Sequence, residues 1–496
     1  MTAWAVPGQS SKAEPSTVDQ NWYVVTTGHF HVFSYGPLAP VYRVALELEQ
    51  FREAYGELAG VSAVASPPIL VMVFPDRESL RPFLPVYQGK PANLAGFFKR
   101  GSDENLIVLA LQSQNPESGL GVIYHEYAHL LFRHNNQVWP LWLAEGMADL
   151  YSTFQASGHR VRIALPIEPY LEILKREPMM PMPELFGVGH DSPQYNESNR
   201  QGMFYAESWL LAHFLVAGDR PVYRSRFAQF TPLLRQGQTP EQAITNALGV
   251  PLTVLQIELQ RYLQAGDFAP IDCVVGTDLS APKPIAAQYL TPVQRYCRFG
   301  DELMRIDRLD TATEYFSKAR MVAPASPLPW EGFGLTASAQ GHGSEAIQDL
   351  AEAVRRGSTS FLAYYTLARE KYRSTSSTGD HFSRLADDQA VEIRNLLQKA
   401  IYLMPSFGPA HELLGFFEMV QGDDLKLSES ELQLAVSLEP DNPSYFLPLA
   451  QVEVQRKSPE LARRTLAPLL LPTAQAQLRA DAESLLREMD RKPSGR

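Results

Sequence analysis

Two cysteines in 496 residues, Cys273 and Cys297, are too few for a disulfide framework, and they fit no CxxC metal pattern. One bridge between them is the most the chain can form, and Cys297, inside a helical repeat, reads instead as a small buried hydrophobe. Long apolar runs are missing too. No stretch approaches the roughly 18 apolar residues of a spanning helix, and residues 209–217 are interrupted by His213. No membrane span is therefore expected. The N-terminus, MTAWAVPGQSSKAEPS, lacks the apolar core of a signal peptide, although Ala3-Trp4-Ala5 has the spacing of the end of a cleavage site. As given, the chain reads as soluble and without an export signal: cytoplasmic, or periplasmic or secreted if an upstream signal is missing. Runs of positive charge are also absent. Lys and Arg number 44 against 55 Asp and Glu, a net charge of −11. Nucleic acid and anionic membranes repel such a chain and are not expected partners.

What is present suffices for real cores: 45% of residues are hydrophobic and only 20% charged, which excludes wholesale disorder. The length suggests roughly three domains. Residues 1–20 are Ser/Pro/Gln-rich and read as a flexible N-terminus. Strand-like runs follow at 22–35, 69–74 and 105–111, with a helix over 40–55 between the first two. Helices then dominate, clearest at 119–134, 140–154 and 203–217. Thr239-Pro240-Glu241 is a helix-start signal, and a helix over 252–264 closes a domain of residues 21–266.

Residues 267–292 read as a Pro-rich linker. Beyond it, over 293–490, the chain repeats. Gly300, Ala312, Phe316, Ala319 and Pro324 are matched 34 residues later by Gly334, Ala346, Leu350, Ala353 and Ser358. A third unit ends at Ala400 and Pro405, delayed by a Ser/Thr/Gly-rich insertion around 374–380. A fourth ends at Ala435 and Pro440, and a weaker fifth at Pro472. This period, with small residues on both helices and Pro at the end, resembles the tetratricopeptide repeat. Tyr296, Phe299 and Leu303 complete the pattern in the first unit, Trp330 and Phe333 in the second. Small residues let paired helices approach closely, and aromatics fill the gaps between units.

The chemistry is concentrated at His125-Glu126-Tyr127-Ala128-His129. Residues four apart share a helix face, so both imidazoles can reach one metal, with Glu126 beside them and able to touch a metal-bound water. Val122, Ile123, Ala128 and Leu131 make this a core helix. The next helix, beginning at Pro140, carries Glu145 and Asp149, again four apart, in LWLAEGMADLY. A catalytic zinc needs three protein ligands and an open position; Glu145 supplies the third. Asp149, one turn on, can accept a hydrogen bond from the far nitrogen of a ligand histidine. The apolar flanks Leu143 and Leu150 argue against a solvated face.

HExxH followed by WLxEGxAD resembles the gluzincin clan of zinc peptidases, in particular the bacterial peptidase MA-like group, over about residues 20–265. The metzincin pattern requires Gly and His at 132 and 135, where this chain has Phe132 and Asn135. The resemblance implies His125, His129 and Glu145 as ligands of one Zn2+ per chain, Glu126 as general base and Asp149 as partner of a ligand histidine. It also implies a downstream tyrosine that stabilises the oxyanion. Tyr205, in FYAESW, is the candidate, although Glu207 and Ser208 stand where related aminopeptidases have Lys and Gly; the alternative is a packed aromatic on a core helix. His190 and Tyr195 are weaker candidates. No GxMEN-like motif is present, and an edge strand over 105–111 would pair with an extended peptide, which favours an endopeptidase over an aminopeptidase.

The expected fold is α+β: a gluzincin-type catalytic domain with a small mixed sheet and a helical half, followed by an all-α tetratricopeptide-repeat solenoid. The expected function is a zinc-dependent peptidase, acting on a peptide or protein substrate, whose repeats recruit that substrate or a protein partner. Two alternatives stand beside it: a binding scaffold over a degenerate catalytic domain, and a zinc hydrolase acting on something other than a peptide. With a linker between the two parts, residues 1–270 are expected to fold alone.

Overall fold

The computed structural model describes residues 17–490 except 61–68, 88–89, 92–95, 100, 102, 112–116, 135–138, 190–191, 193, 195–197, 219, 281–285, 376–383, 441 and 472–474. The strands are β1 (Tyr23–Thr26), β2 (Phe30–Ser34), β3 (Ile69–Phe74), β4 (Val86–Tyr87), β5 (Lys90–Pro91), β6 (Gly96–Lys99), β7 (Leu106–Ala110), β8 (Gln155–Ser157), β9 (Arg160–Ile163), β10 (Ile271–Val274) and β11 (Ala286–Tyr289). Six of them form a mixed sheet in the order β11-β1-β2-β3-β7-β6. Strands β2, β3 and β7 run parallel; β1, β6 and β11 run antiparallel to their neighbours.

The middle strands of this sheet are buried on both faces, and their sequences explain why. The side-chain period is two, so alternate residues of an unbroken apolar run serve opposite faces. In β3, Ile69, Val71 and Val73 join one core, while Leu70, Met72 and Phe74 join another. In β7, Ile107 and Leu109 face the first core, and Leu106, Val108 and Ala110 the second.

The first core is closed by α1 (Leu38–Ala59), α3 (Glu117–His134) and α4 (Leu141–Ser152); α2 (Arg77–Leu80) is a single turn after β3. Helices α5 (Glu168–Arg176), α6 (Met182–Gly187) and α7 (Ser198–Val216) pack behind α4. Four more follow: α8 (Pro221–Phe227), α9 (Phe230–Arg235), α10 (Pro240–Leu248) and α11 (Leu252–Ala265). Thr239 and Gln242 form a capping box at the start of α10.

The second core is closed by the first repeat. Helices α12 (Pro292–Arg305) and α13 (Leu309–Val322) bring Cys297, Phe299, Leu303 and Phe316 against Trp22, Phe74 and Phe83. Phe299 meets Trp22 at a ring-centroid distance of 4.9 Å and Phe83 at 4.6 Å. Residues 267–292 are therefore not a plain linker. They give β10 to a three-stranded sheet with β9 and β8, and β11 to the edge of the main sheet beside β1. The expectation of a plain Pro-rich linker over 267–292 is corrected accordingly. Cys273 and Cys297 are both free thiols.

The array continues through α14 (Leu328–Ala339), α15 (Gly343–Arg355), α16 (Phe361–Ser374), α17 (Asp387–Leu403), α18 (Gly408–Gln421), α19 (Leu425–Leu438), α20 (Phe446–Gln455) and α21 (Pro459–Leu466), ending on α22 (Ala476–Asp490). Each helix packs on the next, and α12, α14 and α16 also touch directly. This is a helical-repeat, tetratricopeptide-like fold. The small residues at repeating positions make one recurring contact. A β-carbon on Gly300 would meet the Phe316 ring at 2.5 Å, one on Gly334 would meet Leu350 at 2.4 Å, and one on Gly415 would meet Leu432 at 2.6 Å. Part of the insertion, and the fifth unit's Pro472, lie outside the described residues.

Candidate metal centre

Helix α3 is anchored to α1 by polar contacts: the Tyr124 hydroxyl donates to Glu47 at 3.2 Å and Arg52 donates to the Tyr127 hydroxyl at 3.2 Å. Its opposite face presents His125 and His129 to α4, which runs alongside. Three donor atoms then converge. His125 Nε2 and His129 Nε2 are 3.1 Å apart, and they lie 3.1 and 3.2 Å from the same oxygen, Glu145 Oε2. A four-coordinate zinc with bonds of about 2.0–2.1 Å sets neighbouring donors about 3.3–3.4 Å apart, so the triangle fits one such ion. A proton can bridge only two of the three atoms, whereas a cation at the centre satisfies all of them. Among the described residues, this is the one group of three His, Cys, Asp or Glu side chains with metal-binding spacing.

The other nitrogen of His125 is held. Its Nδ1–H donates to Asp149 Oδ1 at 2.8 Å, so Nε2 is the atom turned to Glu145 and His129. Glu145 and Asp149 are both buried on one face of α4. Electrostatics follow from that burial. Desolvation opposes charge on His125, but Asp149 and Glu145 outweigh it and hold its pKa up at about 10. Burial pushes Glu145 upward, and the two imidazoles outweigh it, bringing its pKa to about 2. Burial wins only at Asp149, whose pKa is raised despite His125. The centre thus draws positive charge, and a proton and a metal ion compete for the same nitrogen lone pairs.

Glu126 is half-buried and follows His125, about 100° round the helix axis. Tyr205, on α7, is half-buried with its ring centroid 6.4 Å from that of His125. The fold thus brings α7, some sixty positions further along the chain, to the pair of helices that carry the donors. His190 and Tyr195 lie outside the described residues. Strand β7, the expected peptide-pairing edge, is internal, between β3 and β6. Among the described residues the edge strand on that side is β6, against which α3 packs.

Sequence reasoning missed two contributors. Gly146 lies where α4 crosses α7: a β-carbon there would stand 2.2 Å from the Ser208 carbonyl oxygen. An unusual glycine inside a helical pattern was the available signal. Tyr170, on α5, faces Asp149; burial and then that carboxylate push its pKa up. No spacing marks it.

No protein-family model matches the chain, and no curated protein matches it. Among solved structures it is similar to YrrB, a TPR protein with an unusual peptide-binding site. Identity is 17%, coverage 38% of this chain and 91% of that one, and the TM-score 0.32. A thermophilic TPR protein of Thermus thermophilus is 21% identical over 39% of this chain and 99% of that one, with TM-score 0.30. PilW, a type IV pilus biogenesis factor, is 12% identical over 54% and 99%, with TM-score 0.31. The repeat architecture stands on the helix pairing itself.

Proposed function

We propose that this protein is a zinc-dependent peptidase of the gluzincin kind whose repeats hold a protein substrate or partner. The supporting observation is the convergence of His125 Nε2, His129 Nε2 and Glu145 Oε2 at 3.1–3.2 Å, with His125 oriented by Asp149. Zinc held there supplies Lewis acidity to a substrate carbonyl and to water. The remaining roles belong to the chain. Glu126 takes the proton of the attacking water and delivers it to the leaving amine. The Tyr205 hydroxyl donates to the carbonyl oxygen as negative charge develops on it. Asp149 keeps His125 in the tautomer that offers Nε2. Strand β6, the sheet edge among the described residues, offers its outer backbone groups to an extended peptide, which favours internal cleavage over removal of terminal residues.

A second reading is a binding scaffold in which the repeats act and the metal centre is idle. The array from α12 to α22 supports it, since stacked helix pairs form an extended binding surface. Metal analysis and one substitution separate the two. The peptidase reading expects about one zinc per chain and Glu126→Gln protein that keeps zinc but loses peptide cleavage. Absence of metal after zinc reconstitution, or unaltered cleavage by the variant, would overturn it.

A further inference from the structure

Strands β6 and β7 are joined by residues 100–105, and β6 is the sheet edge beside α3. The connection exceeds the two-residue turns that set hairpin register by their own geometry. Its anchor comes from the first repeat. Arg305, at the end of α12, donates from Nη1 to Asp103 Oδ1 at 2.9 Å and from Nη2 to Asp103 Oδ2 at 2.5 Å. The side chains are only 14% and 10% exposed. Nη1 also reaches the Glu104 carbonyl, and Arg298 donates to Glu104 Oε2 at 3.3 Å while stacking on Phe33. Gly101 also lies close to the guanidinium: a β-carbon there would stand 2.8 Å from Arg305 Nη1. The pairing Lys99–Leu106 follows directly on this anchored segment.

A buried ion pair adds little net stability compared with apolar packing of the same volume, but its bidentate geometry fixes direction. We infer that Arg305 is a positioning residue for the substrate edge: by fixing Asp103 and Glu104 it sets the pose of β6, so the repeat array is mechanically joined to the strand that packs beside the metal-site helix α3. The substrate part of this inference rests on the peptidase reading; the positioning part does not.

The full-length chain tests it with Arg305→Met, Arg305→Lys and the exchange of charges Arg305→Asp with Asp103→Arg. Zinc content should be unchanged in all three. In Arg305→Met, amide hydrogen exchange across Gly96–Lys99 should rise about tenfold, the scale of one lost charge-assisted hydrogen bond. KM for extended peptides should rise by a similar factor with kcat little altered. Arg305→Lys, which keeps charge without the fork, should fall between, and the charge exchange should restore both readouts. Arg305→Lys also serves if Arg305→Met fails to fold. Unchanged exchange at β6 would overturn the positioning role. Faster exchange with unchanged KM would overturn the assignment of β6 as the substrate edge. If no variant and no wild-type protein cleaves peptides, the peptidase reading fails, and the exchange data alone decide the positioning role.

Discussion

Gly146 and Ser208 meet where α4 crosses α7. A methyl group on Gly146 would stand 2.2 Å from the Ser208 carbonyl oxygen and 2.8 Å from the Ala212 β-carbon. This approach holds Tyr205, one turn before Ser208, near the ring of His125. Gly146→Ala should therefore destabilise the metal-site part of the chain by about 1–3 kcal/mol, the usual cost of overpacking. A thermal unfolding curve matching wild type would show that the helices separate freely.

Asp149→Ala should weaken zinc binding by about 10–100-fold, the usual effect of losing the partner of a ligand imidazole. The reason is the 2.8 Å bond that fixes the His125 tautomer. Competition titration against a chelator measures this directly, and an unchanged affinity would remove Asp149 from the centre.

Tyr205→Phe should retain zinc and KM and lower kcat by roughly 10²–10³-fold, because its donation matters only as charge develops. Full kcat in the variant would leave the tyrosine as a packed aromatic, consistent with its place against the core.

A chain cut after residue 270 should fail to form a cooperative fold. The cut removes β11 from the sheet edge and uncovers Trp22, Phe74 and Phe83, which Phe299 and Leu303 cover in the whole chain. A chain ending after Val322 keeps the first repeat and should fold. Dye binding and the cooperativity of thermal unfolding distinguish them; a cooperative transition in the shorter chain would show that the first repeat is dispensable.

Glu302, on α12, is 1% exposed, and neither carboxylate oxygen has a hydrogen-bond partner among the described residues. Burial raises its pKa well above the ordinary value, with Arg308 and Arg298 opposing only in part. The protonated form is thus preferred in the folded chain. Its contribution to stability is complete below the unfolded pKa of about 4.3 and is lost as pH rises towards the raised folded value. Glu302→Gln should therefore become progressively more stable than wild type as pH rises above that point, by about 1.4 kcal/mol per unit until the folded pKa is reached. A pH-independent difference between the two proteins would show that Glu302 is charged in the fold.

Much of this protein is written locally. The four-residue spacing in His125–His129 and in Glu145–Asp149 places each pair on one helix face whatever surrounds it, because the helical period is fixed. The register of Gly300, Gly334 and Gly415 against Phe316, Leu350 and Leu432 dictates paired helices for the same reason. The run ILVMVF from Ile69 to Phe74 even required that both sheet faces be covered. Which element covers the second face and which strand stands at the sheet edge among the described residues were settled only by tertiary packing. Those contacts join residues tens to hundreds of positions apart, as Phe299 meets Trp22 and Arg305 meets Asp103. They depend on complementary shape and charge between whole elements, and sequence periodicity carries no record of that.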